Sequence, residues 1–79
     1  MAELDKNNPL RKALIALIVS IAEEVSMAEE NQVLLLHKLD TEEKAFRFNE
    51  WVKSRMKGET LMATEAEITR AAVQIARRS

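Results

Sequence analysis

The chain is predicted to fold as an all-α domain: a compact bundle of three long helices plus one short helix, with the first helix central. Three observations carry that expectation. Among 79 residues there is one Gly and one Pro, and 32% are charged, a composition that favours helix over strand. Apolar residues recur at helical spacing, most clearly at Leu10, Leu14, Leu17, Ile21, Val25 and Ala28. Three stretches also open as helices open, at Asn8-Pro9, at Asp40-Thr41-Glu42-Glu43 and at Thr64-Glu65-Ala66-Glu67. No sheet is expected. A single helical domain is expected over residues 8–79, behind a flexible tail at 1–7 that is polar and without period.

The first helix is the organising element. Asn8 is placed to accept a backbone N–H, and Pro9 at the first helical position gives up a donor that has no partner there anyway. Ile15, Ile18, Val19 and Ala22 widen its apolar face beyond an ordinary stripe, so it must be covered on several sides or share its surface with a second copy. No Gly or Pro forces it to stop near Glu29-Glu30, and Asn31 is the expected break.

Residues 33–39, Val-Leu-Leu-Leu-His-Lys-Leu, are short and apolar enough for either a buried helix or a buried strand. Leu-rich composition and the lack of a second strand favour helix; a homodimer pairing two such strands is the alternative. The third segment has Asp40 as its expected cap with Glu43 three residues on, and it ends with Lys53, Arg55, Lys57 and a closing Gly58. Its inner face is expected to be Ala45, Phe48, Trp51, Val52 and Met56. Residues 59–63 connect onward, with Leu61 and Met62 turned inward. The last helix starts at the Thr64-x-x-Glu67 capping box and buries Ile68, Ala71, Ala72, Ile75 and Ala76.

Composition narrows the function classes. There is no Cys, hence no disulfide, thiolate metal site or cysteine nucleophile, which fits a reducing, cytoplasmic setting. A net charge of −1 exerts no global pull on nucleic acid or anionic lipid. The apolar run Ala13–Ala22 is half the roughly 20 residues that a membrane span needs. Arg11-Lys12 before it and Ser20-Ile21-Ala22 within it imitate an export signal, but Glu3 and Asp5 dilute the positive start.

Candidate chemistry is sparse. His37 is the only histidine, and with Asp40 three residues on it has neither nucleophile nor pocket, so no enzyme, cofactor, metal or small-molecule substrate is expected. Glu23, Glu24, Glu29 and Glu30 form an acidic block; Lys53, Arg55 and Lys57, with Arg70 and Arg77, are the candidate nucleic-acid contacts. Solvated surface is the simpler account of both groups.

Two resemblances bear on function. Residues 33–39 as a ribbon, 41–56 as a helix and Thr64-Glu65-Ala66-Glu67-Ile68-Thr69-Arg70-Ala71-Ala72 as a second helix resemble the ribbon-helix-helix repressors, which implies a dimeric DNA-binding transcriptional regulator. The likeness covers only the C-terminal half, and Leu34, Leu36 and Lys38 are poor base-reading positions. Across nearly the whole chain, Asn8-Pro9-Leu10 with its apolar helix, Phe48-Asn49-Glu50-Trp51-Val52-Lys53 and Ala63-Thr64-Glu65-Ala66-Glu67-Ile68 resemble short proteins of Gram-positive conjugative transposons. That resemblance implies cytoplasmic mobile-element cargo and no particular mechanism.

The expected function is therefore that of a small protein–protein interaction or accessory module, with the DNA-binding regulator as the alternative. The candidate interface residues are Ile15, Val19, Ala22, Phe46 and Trp51, since a wide apolar helix and off-face aromatics are what an interface uses. A symmetric homodimer through Ile15, Val19 and Ala22, with Phe46 nearby, is one form of it; Trp51 is also read as core.

Overall fold

The computed structural model describes residues 7–78. The tail expected at the N-terminus falls almost wholly on residues 1–6, outside the described residues. Four helices follow in order: α1 (Pro9–Val25), α2 (Glu29–Lys38), α3 (Glu42–Ser54) and α4 (Glu65–Arg78). Between α3 and α4 lies one small hairpin, β1 (Met56–Lys57) and β2 (Thr60–Leu61). The all-α class and the three long helices plus a short one hold; the expectation of no sheet does not. The main packings run α1 on α2 and α3, and α4 on the same two helices.

Helix α1 begins as its sequence dictates, with Leu10 N–H donating to Asn8 Oδ1 at 2.8 Å and Pro9 behind it. Its end lies six residues from the start of the expected break. Ser26 takes a left-handed conformation, φ 56° and ψ 48°, and both Ser26 and Met27 donate their N–H to Ala22 O. The Met27 N–H bond to Ala22 O is of the Schellman kind, and both residues are buried, Met27 at 6% and Ala22 at 5% exposure. Asn31, expected to break the helix, instead sits inside α2.

Residues 33–38 are helical, as favoured, in a helix that starts earlier, at Glu29. Ala28, its cap residue, has no side-chain acceptor; Glu29 and Glu30 complement the dipole of the first turn. At its other end Arg11 of α1 donates to Leu36 O at 3.2 Å. Helix α3 is capped by Thr41, whose hydroxyl accepts from Lys44 N–H at 3.2 Å, and not by Asp40. Asp40 pairs with Lys44 at 3.0 Å and Glu43 with Arg47 at 2.6 Å, so the expected Asp40–Glu43 box is replaced by two i,i+4 pairs.

Gly58 does not close α3. The helix stops at Ser54, and Gly58, φ 63°, takes the first place of the two-residue hairpin loop, where a turn of type II′ needs positive φ. Register is Met56 to Leu61 and Lys57 to Thr60, extended by Met62 N–H donating to Arg55 O. Met56 is thereby carried off the α3 face to 39% exposure, Leu61 turns inward at 6%, and Met62, expected inside, is 57% exposed. The capping box of α4 forms in both directions: Glu67 N–H donates to Thr64 Oγ1, and Thr64 N–H to Glu67 Oε1.

The core is wholly apolar among the described residues. Phe48, Ile18, Leu35, Leu39 and Ile68 fill its centre, one or two from each helix and its ends, and Ala45, Ala71 and Ala72 let the backbones approach. Leu14, Ile18, Ile21 and Ala22 are the contribution of α1.

The left-handed Ser26 yields a test. A side chain there strains the backbone, so Ser26→Gly is expected to raise stability by about 0.5–1 kcal/mol, after allowing for the entropy of glycine in the unfolded chain. A lowered urea midpoint would mean that α1 does not end in this turn.

Candidate protein-interaction interface

A helix packed on two neighbours turns part of its circumference away from them, and on α1 that part is apolar. Ile15 is 38% and Val19 46% exposed, one turn apart on the same flank. Arg11, one turn before Ile15, reaches α2, which places this flank on the α2 side. On the α3 side Ala13 and Leu17 line a narrow cleft of about 100 Å³ with Leu10, Leu14, Ala45 and Asn49.

The five candidate interface residues do not share one patch. Ala22 belongs to the core at 5% exposure, at the turn where the likewise buried Met27 donates its N–H to the Ala22 carbonyl. Phe46, 59% exposed, lies on α3 about 160° around the helix from Phe48. Trp51 is half-buried on the opposite side of α3. Its ring stacks on Phe48 with centroids 6.1 Å apart, and the Arg55 guanidinium covers it at 5.3 Å. Ile15 and Val19 remain the exposed pair in register.

The candidate nucleic-acid contacts are likewise divided. Arg55 and Arg70 meet in a groove of about 260 Å³ between α3 and α4, lined also by Trp51, Glu67, Ala71 and Gln74. Lys53 faces Glu50 at 3.4 Å. Lys57 lies on the hairpin, and Arg77 lines a wide, shallow depression of about 750 Å³ along α4 that Arg70 also borders. Residues 33–38, the ribbon of the repressor resemblance, are helical.

Two carboxylates, Glu24 of the acidic block and Glu65 of the opening of α4, hold the elements together. Glu24 accepts the Leu61 N–H at 2.8 Å and so fastens β2 to the end of α1. Glu65, in the first turn of α4, accepts the Ala28 N–H at 3.0 Å and an Asn31 amide N–H, supplying the cap that α2 lacks. These contacts join residues more than thirty positions apart, and nothing in local spacing announces them. The Asn31 amide, and then the Ala28 N–H, hold the Glu65 carboxyl below its ordinary range. Thr64 does the same for Glu67, and the Lys44 ammonium for Asp40.

Comparison with family models, with curated proteins and with solved structures returned no match for this chain. The functional reading rests on its own geometry. Among the described residues no helix is long and apolar enough to cross a membrane.

The clamp at Glu65 makes a pH prediction. A carboxyl held below its unfolded value leaves the folded chain with fewer bound protons, so its stabilisation is full above the ordinary carboxylate range and is lost as pH falls through the folded value. The urea midpoint should therefore fall on acidification, and Glu65→Gln should make that fall shallower. Parallel curves for the two proteins would show that the α2–α4 clamp is not made.

Proposed function

We propose that this chain is a protein–protein interaction module whose docking face is the outward flank of α1. One observation carries the reading. The solvent side of a surface helix normally bears charge, yet no charged residue occurs from Ala13 to Ala22, through nearly three turns in which Ala13, Ile15, Ala16, Val19 and Ser20 are exposed. A single exposed aliphatic is ordinary; an uncharged stripe on the longest helix of a small domain is the form an interface takes. The resemblance to conjugative-transposon proteins supports an accessory role in the cytoplasm of a host cell, and no catalytic step forms part of the reading.

A second reading, the DNA-binding regulator, draws on the convergence of Arg55 and Arg70 beside Trp51. The Glu67 carboxylate in the same groove weakens it, since it competes with phosphate for both guanidinium groups.

A photo-cross-linking residue placed at Val19 is expected to give a discrete protein adduct in cells, and the same probe at Gln74 on α4 none. Equal adducts at both positions, or none at Val19, would contradict the docking face. The DNA reading is separable: the interaction module should not bind duplex DNA at roughly 50 μM in low salt, whereas a phosphate-gripping surface binds with steep salt dependence.

A further inference from the structure

The proposed docking face carries a charge pattern that selects its partner. Along the outermost line of α1 lie Lys12, Ala16, Val19 and Glu23, at spacings of four, three and four, and all four are exposed. They stand opposite the buried Leu14, Ile18 and Ile21. The line is basic at its N-terminal end, apolar in its middle and acidic at its C-terminal end. Among the described residues neither Lys12 nor Glu23 takes part in an ion pair or side-chain hydrogen bond, so both charges are available to a partner.

We propose, resting on the α1 docking face above, that the partner is a second copy of this chain, bound α1 to α1 in antiparallel fashion about a two-fold axis that passes between the levels of Leu17 and Ile18. Residues equidistant from that axis then meet. Lys12 faces the partner's Glu23, and Glu23 the partner's Lys12. Ala16 faces the partner's Val19, and Ile15 flanks that seam on one side. The four, three, four spacing is that of alternating core positions in a two-helix seam, and antiparallel pairing matches each such position with its complement. Two-fold symmetry makes every contact occur twice.

Charge decides the direction. A parallel pair sets Lys12 on the partner's Lys12 and Glu23 on the partner's Glu23, two repulsions where the antiparallel pair has two attractions. Size decides the closeness. Ala16 at the centre, opposite Val19, allows the axes to come within about 8–10 Å, and no charge from Ala13 to Ala22 is desolvated by the approach. The ion pairs lie at the two ends, about 16 Å apart along the helix, where water still reaches them. Three turns of one helix make a contact smaller than the roughly 800 Å² per partner of a standard interface, so the dimer is a concentration-dependent one.

Charge reversal tests this in a form that spares the fold. Lys12→Glu puts acid near the N-terminus of α1, and Glu23→Lys puts a cation near its C-terminus, both of which suit the helix dipole. Sedimentation equilibrium between roughly 10 μM and 1 mM, concentrations suited to a small interface, is expected to show monomer and dimer for the wild type. Each single reversal converts both attractions into repulsions and is expected to weaken the dimer about tenfold. The double variant K12E/E23K restores opposite pairs and should recover wild-type association to within about threefold, while Val19→Glu abolishes it. A wild-type chain that stays monomeric throughout overturns the second copy, and the Val19 cross-link then decides separately whether the flank docks another protein. A dimer indifferent to the single reversals overturns the antiparallel geometry. A dimer that survives Val19→Glu overturns the location itself.

Discussion

The apolar load of α1 is the constraint from which the rest of the structure follows. Its side chains from Leu10 to Val25 present more apolar surface than two short neighbours can cover. The bundle divides that load. Leu14, Ile18, Ile21 and Ala22 go inward with Phe48, Leu35 and Ile68, and Ile15 and Val19 stay at the surface. Fully burying such a side chain contributes about 1.5–3 kcal/mol, so exposure near two-fifths leaves roughly 1 kcal/mol unrealised at each position in the monomer. In a domain that buries only about three-fifths of its unfolded surface, that remainder matters to association more than to folding.

The turn at Ser26 makes the division possible. Had the chain continued helically through Glu29, α1 and α2 would be one rod and Leu35 would have nothing to meet. Instead a left-handed serine reverses the direction, and the Ser26 and Met27 N–H bonds to Ala22 O, with Met27 buried, hold the reversal. Two carboxylates then fasten the ends that the turn brings round: Glu65 on the bare N-terminus of α2, and Glu24 on the hairpin strand. Neither contributes to the core. Each satisfies a backbone donor that would otherwise rely on solvent, and each fixes one element relative to another.

What the sequence disclosed depended on how local the physics was. The starts at Pro9 and Glu65 were legible because Asn8-Pro9 and Thr64-x-x-Glu67 act within one turn; the start of α3 was legible to within a residue, with Thr41 in place of Asp40 as the cap. The ends were not. Ser26 adopts a conformation usually left to glycine, and the burial of Met27 that accompanies it exists only once the chain folds back. Gly58 was identifiable as a positive-φ position, but helix termini and hairpin loops both use such a glycine, and local spacing does not separate them. Of the candidate interface, Ile15, Val19 and Phe46 lie off the faces that periodicity defines and are exposed, though the sequence left Phe46 open between core and surface. Ala22 and Trp51 were not separable from them, since which flank turns inward is set by where α2 and α4 arrive. Glu24 and Glu65 left no signal, because a carboxylate reaching a distant backbone N–H has no spacing rule.

The division of α1 into an inner core face and an outer docking face is most directly tested by a dilution series of amide NMR spectra, read residue by residue. The account predicts that concentration-dependent shifts cluster on α1 from Lys12 to Glu23, with the outward positions Ala16 and Val19 among the largest, while Arg70, Gln74 and Arg77 on α4 stay fixed. Shifts centred on α4 or on the hairpin, with α1 unmoved, would contradict it.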